Sequence, residues 1–175
     1  IKPKKLYELP AAFDGDNYKV DQNFATSKDG TKIPYFVVYN KNIKYDGTNP
    51  TIQYGYGGFE ISFPPSYLGL IGKAWLDKGG VYVMANIRGG GEFGPNWHRA
   101  AILKNRHKAF EDFYVVSLDL IRRKITSSDH LGIWGGSNGG LLVATMMTRY
   151  PELYKAVVCQ VPITDMMRYH KLLAG

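Results

Sequence analysis

Ser137 stands in the stretch GGSNGG at positions 135–140, which fits the G-x-S-x-G pattern of a nucleophile elbow. An apolar run at 131–134 predicts a strand before it, and the composition of 141–150 predicts a helix after it. In such a strand–turn–helix unit the serine hydroxyl is exposed at the carboxyl edge of a sheet. Glycines are needed on both sides because strand and helix approach closely around a strained backbone. We therefore predict that Ser137 is a nucleophile.

The elbow also predicts where a developing negative charge would be stabilised. The backbone N–H of Asn138 and the positive end of the helix would face an oxyanion that forms next to Ser137. The alternative interpretation is a glycine-rich turn in which Ser137 only caps the helix. The strand–turn–helix context favours the nucleophile over the cap.

The loop YGYGGF at positions 54–59 follows the predicted strand at 51–54. In the elbow architecture the loop after this strand provides the second oxyanion donor. We interpret the Tyr56 hydroxyl as a candidate donor and Phe59 as a candidate wall for an apolar substrate group. Aromatic packing in the core is the alternative, and the sequence leaves both interpretations open.

A serine hydroxyl attacks only when a neighbouring base accepts its proton. In the elbow fold an acid and then a histidine follow the serine, on loops after later strands. Downstream of Ser137 the candidates are Glu152, Asp165 and His170. Asp165 and His170 directly follow the first predicted strand after the elbow, where neither triad partner is expected, and a structural role is favoured for Asp165. We expect the acid and the base to lie outside this chain.

A rival hypothesis comes from GGGEFG at positions 89–94, which fits the dinucleotide-binding pattern G-x-G-x-x-G. Glu111 and Asp112 lie near the spacing of a ribose-binding acid. Against it, Pro95 and an irregular segment follow where a phosphate-capping helix should begin. The acidic pair also falls inside a predicted helix rather than at the end of a strand. We therefore expect this chain to bind neither a dinucleotide nor any other cofactor.

Strands and helices must alternate to position these residues. A hairpin opens the series, and its Asp-Gly turn joins two segments rich in β-forming residues. Strand–helix alternation after a hairpin predicts an α/β fold with a mostly parallel sheet. Residues 1–15 lack periodicity and predict a linker, so the domain is expected from residue 16 onward. The predicted strands are 18–27, 32–40, 51–54, 81–87, 131–134 and 156–161, and the predicted helices are 67–76, 105–124 and 141–150.

Composition excludes several classes of protein. The 175 residues include 45% hydrophobic residues and 20 glycines, which indicates a folded chain. The formal net charge of +7 is spread over scattered basic residues without a nucleic-acid-binding motif, so we expect no nucleic-acid partner. No apolar run approaches the roughly 20 residues of a membrane span, and IKPKK does not open a signal peptide. We expect no membrane partner, and the cytoplasm is slightly favoured over the periplasm.

Cys159 is the chain's one cysteine, which excludes an internal disulfide and a cysteine-rich metal site. Its apolar neighbours predict a small core residue. We accordingly expect no metal ion in this chain.

Three stretches taken together resemble the prolyl oligopeptidase family of serine peptidases: YGYGGF at 54–59, ANIRGGGEFGPNWH at 85–98 and GGSNGGLL at 135–142. Their order and spacing agree with the family, and the similarity extends from about residue 16 to the end, as in a bacterial member. The resemblance implies an α/β-hydrolase catalytic domain of three layers. In the family this domain is normally joined to a β-propeller that admits only peptides. Arg88 and the glycines after it match a motif that shapes the surroundings of the site.

The resemblance also implies roles for individual residues. Ser137 matches the nucleophile, and the Asn138 N–H and the Tyr56 hydroxyl match the oxyanion hole. Phe59 and Ile163 match the lining of the pocket for the residue before the cleaved bond, which is usually proline. Proline specificity follows from the resemblance alone.

The resemblance stops short of a whole enzyme. The family's acid and histidine, its pocket tryptophan and its substrate-binding arginine lie beyond the end of this chain, and nothing here matches the propeller. Residues 16–175 are therefore expected to be a partial catalytic domain, truncated before the last strands. Its expected partners are a small peptide substrate and the rest of the parent chain. A missing sheet edge would leave unpaired strand groups, so a dimer through that edge is also considered.

We expect a fragment that is inactive alone, from a parent peptidase that cleaves short peptides after proline through an acyl-enzyme. Two alternatives stay open. One is a related acylaminoacyl peptidase or esterase of the same fold. The other is a catalytically dead interaction module.

Overall fold

The computed structural model describes residues 3–172. Its first two strands, β1 (Tyr18–Thr26) and β2 (Lys32–Asn40), form an antiparallel hairpin. Gly30 in the connecting turn has φ +83°, a left-handed conformation that glycine adopts without steric cost. The hairpin that the sequence predicts is therefore confirmed.

Strands and helices alternate after the hairpin. The further strands are β3 (Thr51–Gly55), β4 (Val81–Ala85), β5 (Leu131–Gly136) and β6 (Ala156–Gln160). The helices are α1 (Leu70–Ala74), α2 (Pro95–Arg99), α3 (His107–Arg122) and α4 (Asn138–Arg149). Single 3₁₀ turns lie at Gly15–Asn17, Leu76–Lys78, Leu103–Asn105, Pro151–Leu153 and Tyr169–Lys171.

The six strands form one sheet in the order β1-β2-β4-β3-β5-β6. Strand β2 runs antiparallel to β4, whereas β3, β4, β5 and β6 run parallel to one another because a helical connection separates each from the next in sequence. The predicted α/β class with a mostly parallel sheet is confirmed. Since β3 and β5 are neighbours, the loop after β3 and the turn after β5 meet at the same edge of the sheet.

Apolar side chains cover both faces of the sheet, which gives three layers. Helices α3 and α4 cover one face with a cluster that includes Phe113, Leu142 and Met146. The other face carries Tyr82 of β4, and α1 packs on it together with Leu76 from the turn that follows the helix. Successive residues of a strand point to opposite faces, and in β5 Ile133 joins the first cluster while Trp134 joins the second.

Phe13 already packs into the fold, although it precedes the domain start predicted at residue 16. Its ring is 9% exposed and stacks on Tyr67 with a distance of 4.9 Å between ring centres. Its backbone N–H donates to the Tyr67 hydroxyl at 2.9 Å. Gly72 of α1 lies directly below, since a Cβ there would lie 2.1 Å from the Phe13 ring. Residues 3–11 have no regular secondary structure, and the linker at 1–15 stays a prediction.

Three local predictions differ from the structure. The segment 95–104, predicted to be irregular, contains α2, because Pro95 occupies the first helical position, where its missing N–H costs nothing. The predicted helix at 67–76 is shorter and begins at Leu70. Cys159, predicted to be a core residue, is exposed in this chain, because β6 is the outermost strand of the sheet formed by residues 3–172. No helix within residues 3–172 is long and apolar enough to cross a membrane.

Candidate active site

Ser137 occupies the turn between β5 and α4 with φ 55° and ψ −115°. A positive φ is strained for any residue with a side chain, and such strain is concentrated at functional sites. The neighbouring chain holds this conformation. The Ser137 N–H donates to the Gln160 carbonyl at 3.0 Å, and its own carbonyl accepts from Leu141 and Ile163 at 3.1 and 3.4 Å. The structure thus has the backbone of a nucleophile elbow at the predicted position.

Two glycines of the elbow are required by close contacts. A Cβ at Gly135 would lie 2.2 Å from the carbonyl oxygen of Gly139. A Cβ at Gly139 would lie 2.6 Å from the carbonyl oxygen of Gly55, at the end of β3. Real Cβ atoms do not come so close to backbone oxygens, so only glycine allows α4 to turn back over β5 and β3. The spacing of the G-x-S-x-G pattern follows from these contacts.

Asn138 is the first residue of α4 and is 5% exposed. As a first-turn N–H, its backbone donor has no acceptor inside the helix and remains available to a ligand. Its side chain has a different role, because Nδ2 donates to the Tyr56 carbonyl at 2.6 Å and Oδ1 accepts from Arg106 at 3.1 Å. The side chain thus joins the elbow to the loop at 54–59.

The loop at 54–59 packs directly on the elbow. A Cβ at Gly58 would lie 2.4 Å from Nδ2 of Asn138, so the Gly58 backbone packs directly against the Asn138 side chain. The half-buried Tyr56 ring lies 5.7 Å from the ring of Phe63 and 6.5 Å from that of Phe59. Phe59 has φ 54° and is 58% exposed, although it is a large apolar residue.

A cavity of about 560 Å³ opens beside the elbow and is mostly apolar. Three of the predicted site residues, Phe59, Asn138 and Ile163, line it together. Ser137 directly precedes Asn138 in the chain, and the Tyr56 carbonyl is hydrogen-bonded to the Asn138 amide. The structure therefore brings all five predicted residues to one place, from two loops and the segment after β6. The remaining lining residues are Gly58, Glu60, His98, Ile102, Leu103, Arg106, Leu141, Met166 and Tyr169.

Three of the four histidine rings have hydrogen-bond partners other than Ser137. Nδ1 of His98 lies 2.7 Å from the Gly89 carbonyl, and His107 lies 3.1 Å from the Lys104 carbonyl. His130 is paired with Ser127 at 3.0 Å, and His170 is exposed in the last 3₁₀ turn. Asp165 forms an ion pair with Arg168, as its structural interpretation requires. Within residues 3–172, no histidine is hydrogen-bonded to the Ser137 hydroxyl.

A model of the Prolyl oligopeptidase family matches residues 71–173, which is more than half of the chain. The chain belongs to the prolyl oligopeptidase family. An uncharacterized peptidase of Sinorhizobium fredii is 55% identical over 98% of this chain, and the prolyl endopeptidase of Elizabethkingia meningoseptica is 43% identical over the same share. The structure of a post-proline cleaving enzyme from Rickettsia typhi superimposes with a TM-score of 0.90 at 53% identity, over 98% of this chain.

Each of these relatives is much longer, and this chain spans about a quarter of their length: 24% of the Sinorhizobium and Elizabethkingia proteins and 24% of the Rickettsia typhi structure. The family and the α/β-hydrolase fold inferred from the three sequence stretches are confirmed.

The RGGG motif at positions 88–91 has a structural role that the spacing of its residues did not predict. Arg88 is 4% exposed and donates from Nε and Nη2 to the two carboxylate oxygens of Asp112 at 2.8 and 2.7 Å. Nη1 donates to Asp29 in the hairpin turn at 2.6 Å. The Arg88 guanidinium holds the pKa of Asp29 well below its usual range. Arg88 thus ties the hairpin turn to α3.

The same contacts argue against the dinucleotide hypothesis. Asp112 is fully buried against Arg88 and is not available to a ribose. The loop glycines are used for close packing, since a Cβ at Gly89 would lie 2.3 Å from the Gly57 carbonyl and one at Gly91 would lie 2.1 Å from the Glu60 carbonyl. The glycine-rich loop therefore supports the backbone of the loop that contains Tyr56.

Arg106 is the site residue of this family member that sequence reasoning missed. It precedes α3, lines the cavity and donates to both Gly57 and Asn138. One feature of the sequence could have indicated Arg106. The helix dipole disfavours a cation at the N-terminus of a helix, so a basic residue directly before α3 suggests that its side chain binds elsewhere.

Proposed function

We propose that this chain carries the nucleophile and the oxyanion hole of a serine peptidase that cleaves peptides on the carboxyl side of proline. The observation that carries the proposal is the strained backbone of Ser137 between a buried strand and a helix N-terminus, beside an apolar cavity. The activities for which two relatives are named, prolyl endopeptidase and post-proline cleaving enzyme, support the substrate class. The proposal concerns the longer protein, since this chain spans about a quarter of its relatives.

In the proposed reaction the Ser137 hydroxyl oxygen attacks the carbonyl carbon of the peptide bond. The serine proton passes to a histidine that the rest of the longer protein supplies, and the carbonyl oxygen becomes an oxyanion. The Asn138 N–H and the Tyr56 hydroxyl donate to that oxyanion. Collapse of the intermediate breaks the C–N bond, and the leaving amine takes the proton from histidine. Water then hydrolyses the acyl-enzyme by the same steps and releases the acid.

The cavity is proposed to hold the residue before the cleaved bond. Phe59 and Ile163 both belong to a lining that is mostly apolar, which suits the ring of a proline. A proline ring has no side-chain donor or acceptor to satisfy, so an apolar pocket binds it without leaving a polar group unpaired. The exposed Phe59 ring fits a role in contacting a ligand rather than the core.

The proposal is tested on the full-length gene product with a fluorophosphonate probe, read by intact mass and peptide mapping, and with an N-blocked glycyl-proline p-nitroanilide. We expect one adduct at Ser137 and release of p-nitroaniline, and loss of both in Ser137→Ala. Ser127→Ala is the matched control, because Ser127 also contacts a histidine, His130, but lies outside the cavity. It should keep both activities.

The outcomes separate the alternatives. Hydrolysis of acylated or ester substrates without the prolyl amide would favour an acylaminoacyl peptidase or esterase. A folded full-length protein that neither labels at Ser137 nor hydrolyses any of these substrates would overturn the peptidase proposal and favour an interaction module.

A further inference from the structure

Arg106 is held between two loops by three contacts. Its guanidinium donates one hydrogen bond to the Gly57 carbonyl and another, of 3.1 Å, to Oδ1 of Asn138. The guanidinium carbon lies 5.3 Å from the centre of the Phe110 ring, where cation–π attraction favours it. The side chain therefore has a defined position although it lines an open cavity.

The contact with Arg106 orients the Asn138 amide. An arginine side chain has only donors, so the amide must turn its oxygen toward Arg106. Nδ2 then points to the Tyr56 carbonyl, to which it donates at 2.6 Å. Arg106 thus binds the loop twice: directly through Gly57, and through Asn138 to the adjacent carbonyl of Tyr56. The two segments that carry the proposed oxyanion donors are joined through this one side chain.

The charge of Arg106 is not neutralised by a neighbour. No carboxylate within residues 3–172 forms an ion pair with it, unlike Arg88, Arg122, Arg123 and Arg168. Burial lowers the pKa of the guanidinium, while the Tyr56 phenol acts in the opposite direction. An unpaired cation in a partly buried site interacts with a nearby negative charge more strongly than it would in water.

We propose that Arg106 is a positioning residue of the oxyanion hole, which holds the Tyr56 loop against Asn138 and adds positive charge beside the forming oxyanion. The inference rests on the proposed peptidase function. Arg106 borders the cavity, but its hydrogen bonds go to Gly57 and Asn138, so no hydrogen bond to substrate is proposed. Its contribution is expected in the transition state, where the oxyanion exists, and not in substrate binding.

The test uses Arg106→Met, Arg106→Lys and Arg149→Met in the full-length gene product, with the glycyl-proline p-nitroanilide and the fluorophosphonate probe. Arg149→Met is the matched control, since the Arg149 guanidinium lies 5.5 Å from the centre of the same Phe110 ring but reaches neither loop. Loss of a direct oxyanion donor costs about 10²–10³ in kcat, so for the indirect Arg106→Met we expect a loss of about 10- to 100-fold. KM should change little, and labelling should slow by the same factor as kcat.

Arg106→Lys should fall between wild type and Arg106→Met, because lysine keeps the charge but cannot reach both acceptors with a fixed fork. Arg149→Met should match wild type. Wild-type kcat in Arg106→Met, or a loss confined to KM, would overturn the inference while the peptidase function stands. If Arg106→Met does not fold, Arg106→Lys decides, because full kcat there would exclude the two-point contact. A wild-type protein without labelling or hydrolysis would overturn the proposed function, and this inference with it.

Discussion

The side-chain amide of Asn138 donates a 2.6 Å hydrogen bond to the main-chain carbonyl of Tyr56, across 82 positions of sequence. This bond joins the turn after β5 to the loop after β3. The two strands are neighbours in the sheet, so their carboxyl ends bring the two segments together. One hydrogen bond thus connects the two residues that are proposed to stabilise the oxyanion, one through its backbone and one through its hydroxyl.

Replacing Tyr56 by phenylalanine tests the proposed hydroxyl donor. The ring and its contacts with Phe63 stay, so the thermal midpoint should be unchanged, while kcat should fall by about 10²–10³ because one oxyanion donor is lost. Steady-state hydrolysis of the prolyl anilide by the full-length protein measures the effect. Tyr54→Phe is the control, since Tyr54 packs on Phe63 and Trp134 in a similar way outside the cavity. Equal kcat values for the two variants would show that the Tyr56 hydroxyl does not donate to the oxyanion.

Two glycines of β5 should respond differently to alanine. At Gly135 the new methyl group would lie 2.2 Å from the Gly139 carbonyl, whereas at Gly132 the nearest atom is 3.5 Å away, an ordinary contact. We expect Gly135→Ala to destabilise the protein by about 1–3 kcal/mol or more through overpacking and to slow the labelling of Ser137. Gly132→Ala should be close to neutral. Thermal unfolding and labelling rates of both variants check this, and similar midpoints for the two would contradict the close approach at the elbow.

Acid should weaken the contact between Asp29 and Arg88. The Arg88 guanidinium keeps the pKa of Asp29 below its unfolded value, so the stabilisation is complete above an unfolded pKa of about 4 and is lost as pH falls below it. Asp29→Asn should lower the thermal midpoint at pH 7 and flatten its dependence on pH below about 4. Midpoints measured from pH 7 to pH 2 test this.

Asp129→Asn is the control for that series, because Asp129 is exposed and only 3.4 Å from Lys155 in a surface pair of small energetic value. Its pH profile should follow the wild type. A profile of Asp29→Asn parallel to the wild type would show that Asp29 does not contribute to acid sensitivity.

The chain of 175 residues is predicted to be inactive by itself. No histidine of residues 3–172 is hydrogen-bonded to the Ser137 hydroxyl, and loss of a triad member costs several orders of magnitude in rate. Intact-mass analysis after fluorophosphonate treatment should find no rapid adduct on the isolated, folded chain, while the full-length protein labels. Rapid labelling of the isolated chain would mean that a base such as His170 reaches the serine.

The parts of the structure that depend on local sequence could be predicted. The elbow needs glycine at 135 because a Cβ there would collide with the carbonyl of Gly139, only four positions further along the chain. The hairpin turn follows from Asp29-Gly30 in the same way. Strand–helix alternation predicted the parallel sheet, and the position of Tyr56 after the third strand predicted that it would meet the elbow.

The contacts between distant residues were decided only by the tertiary structure. Arg106 lies 49 positions from Gly57 and 32 from Asn138, and its spacing in sequence carries no sign of either bond. Asp112, whose spacing matched a ribose-binding acid, is buried in an ion pair with Arg88, which lies after the end of β4. Cys159 lies in an apolar run but is exposed in this chain, where β6 is the outermost strand of the described sheet. Sequence periodicity determines which residues can form a strand or helix, but burial and ion pairing depend on which neighbours the sheet order brings to each residue.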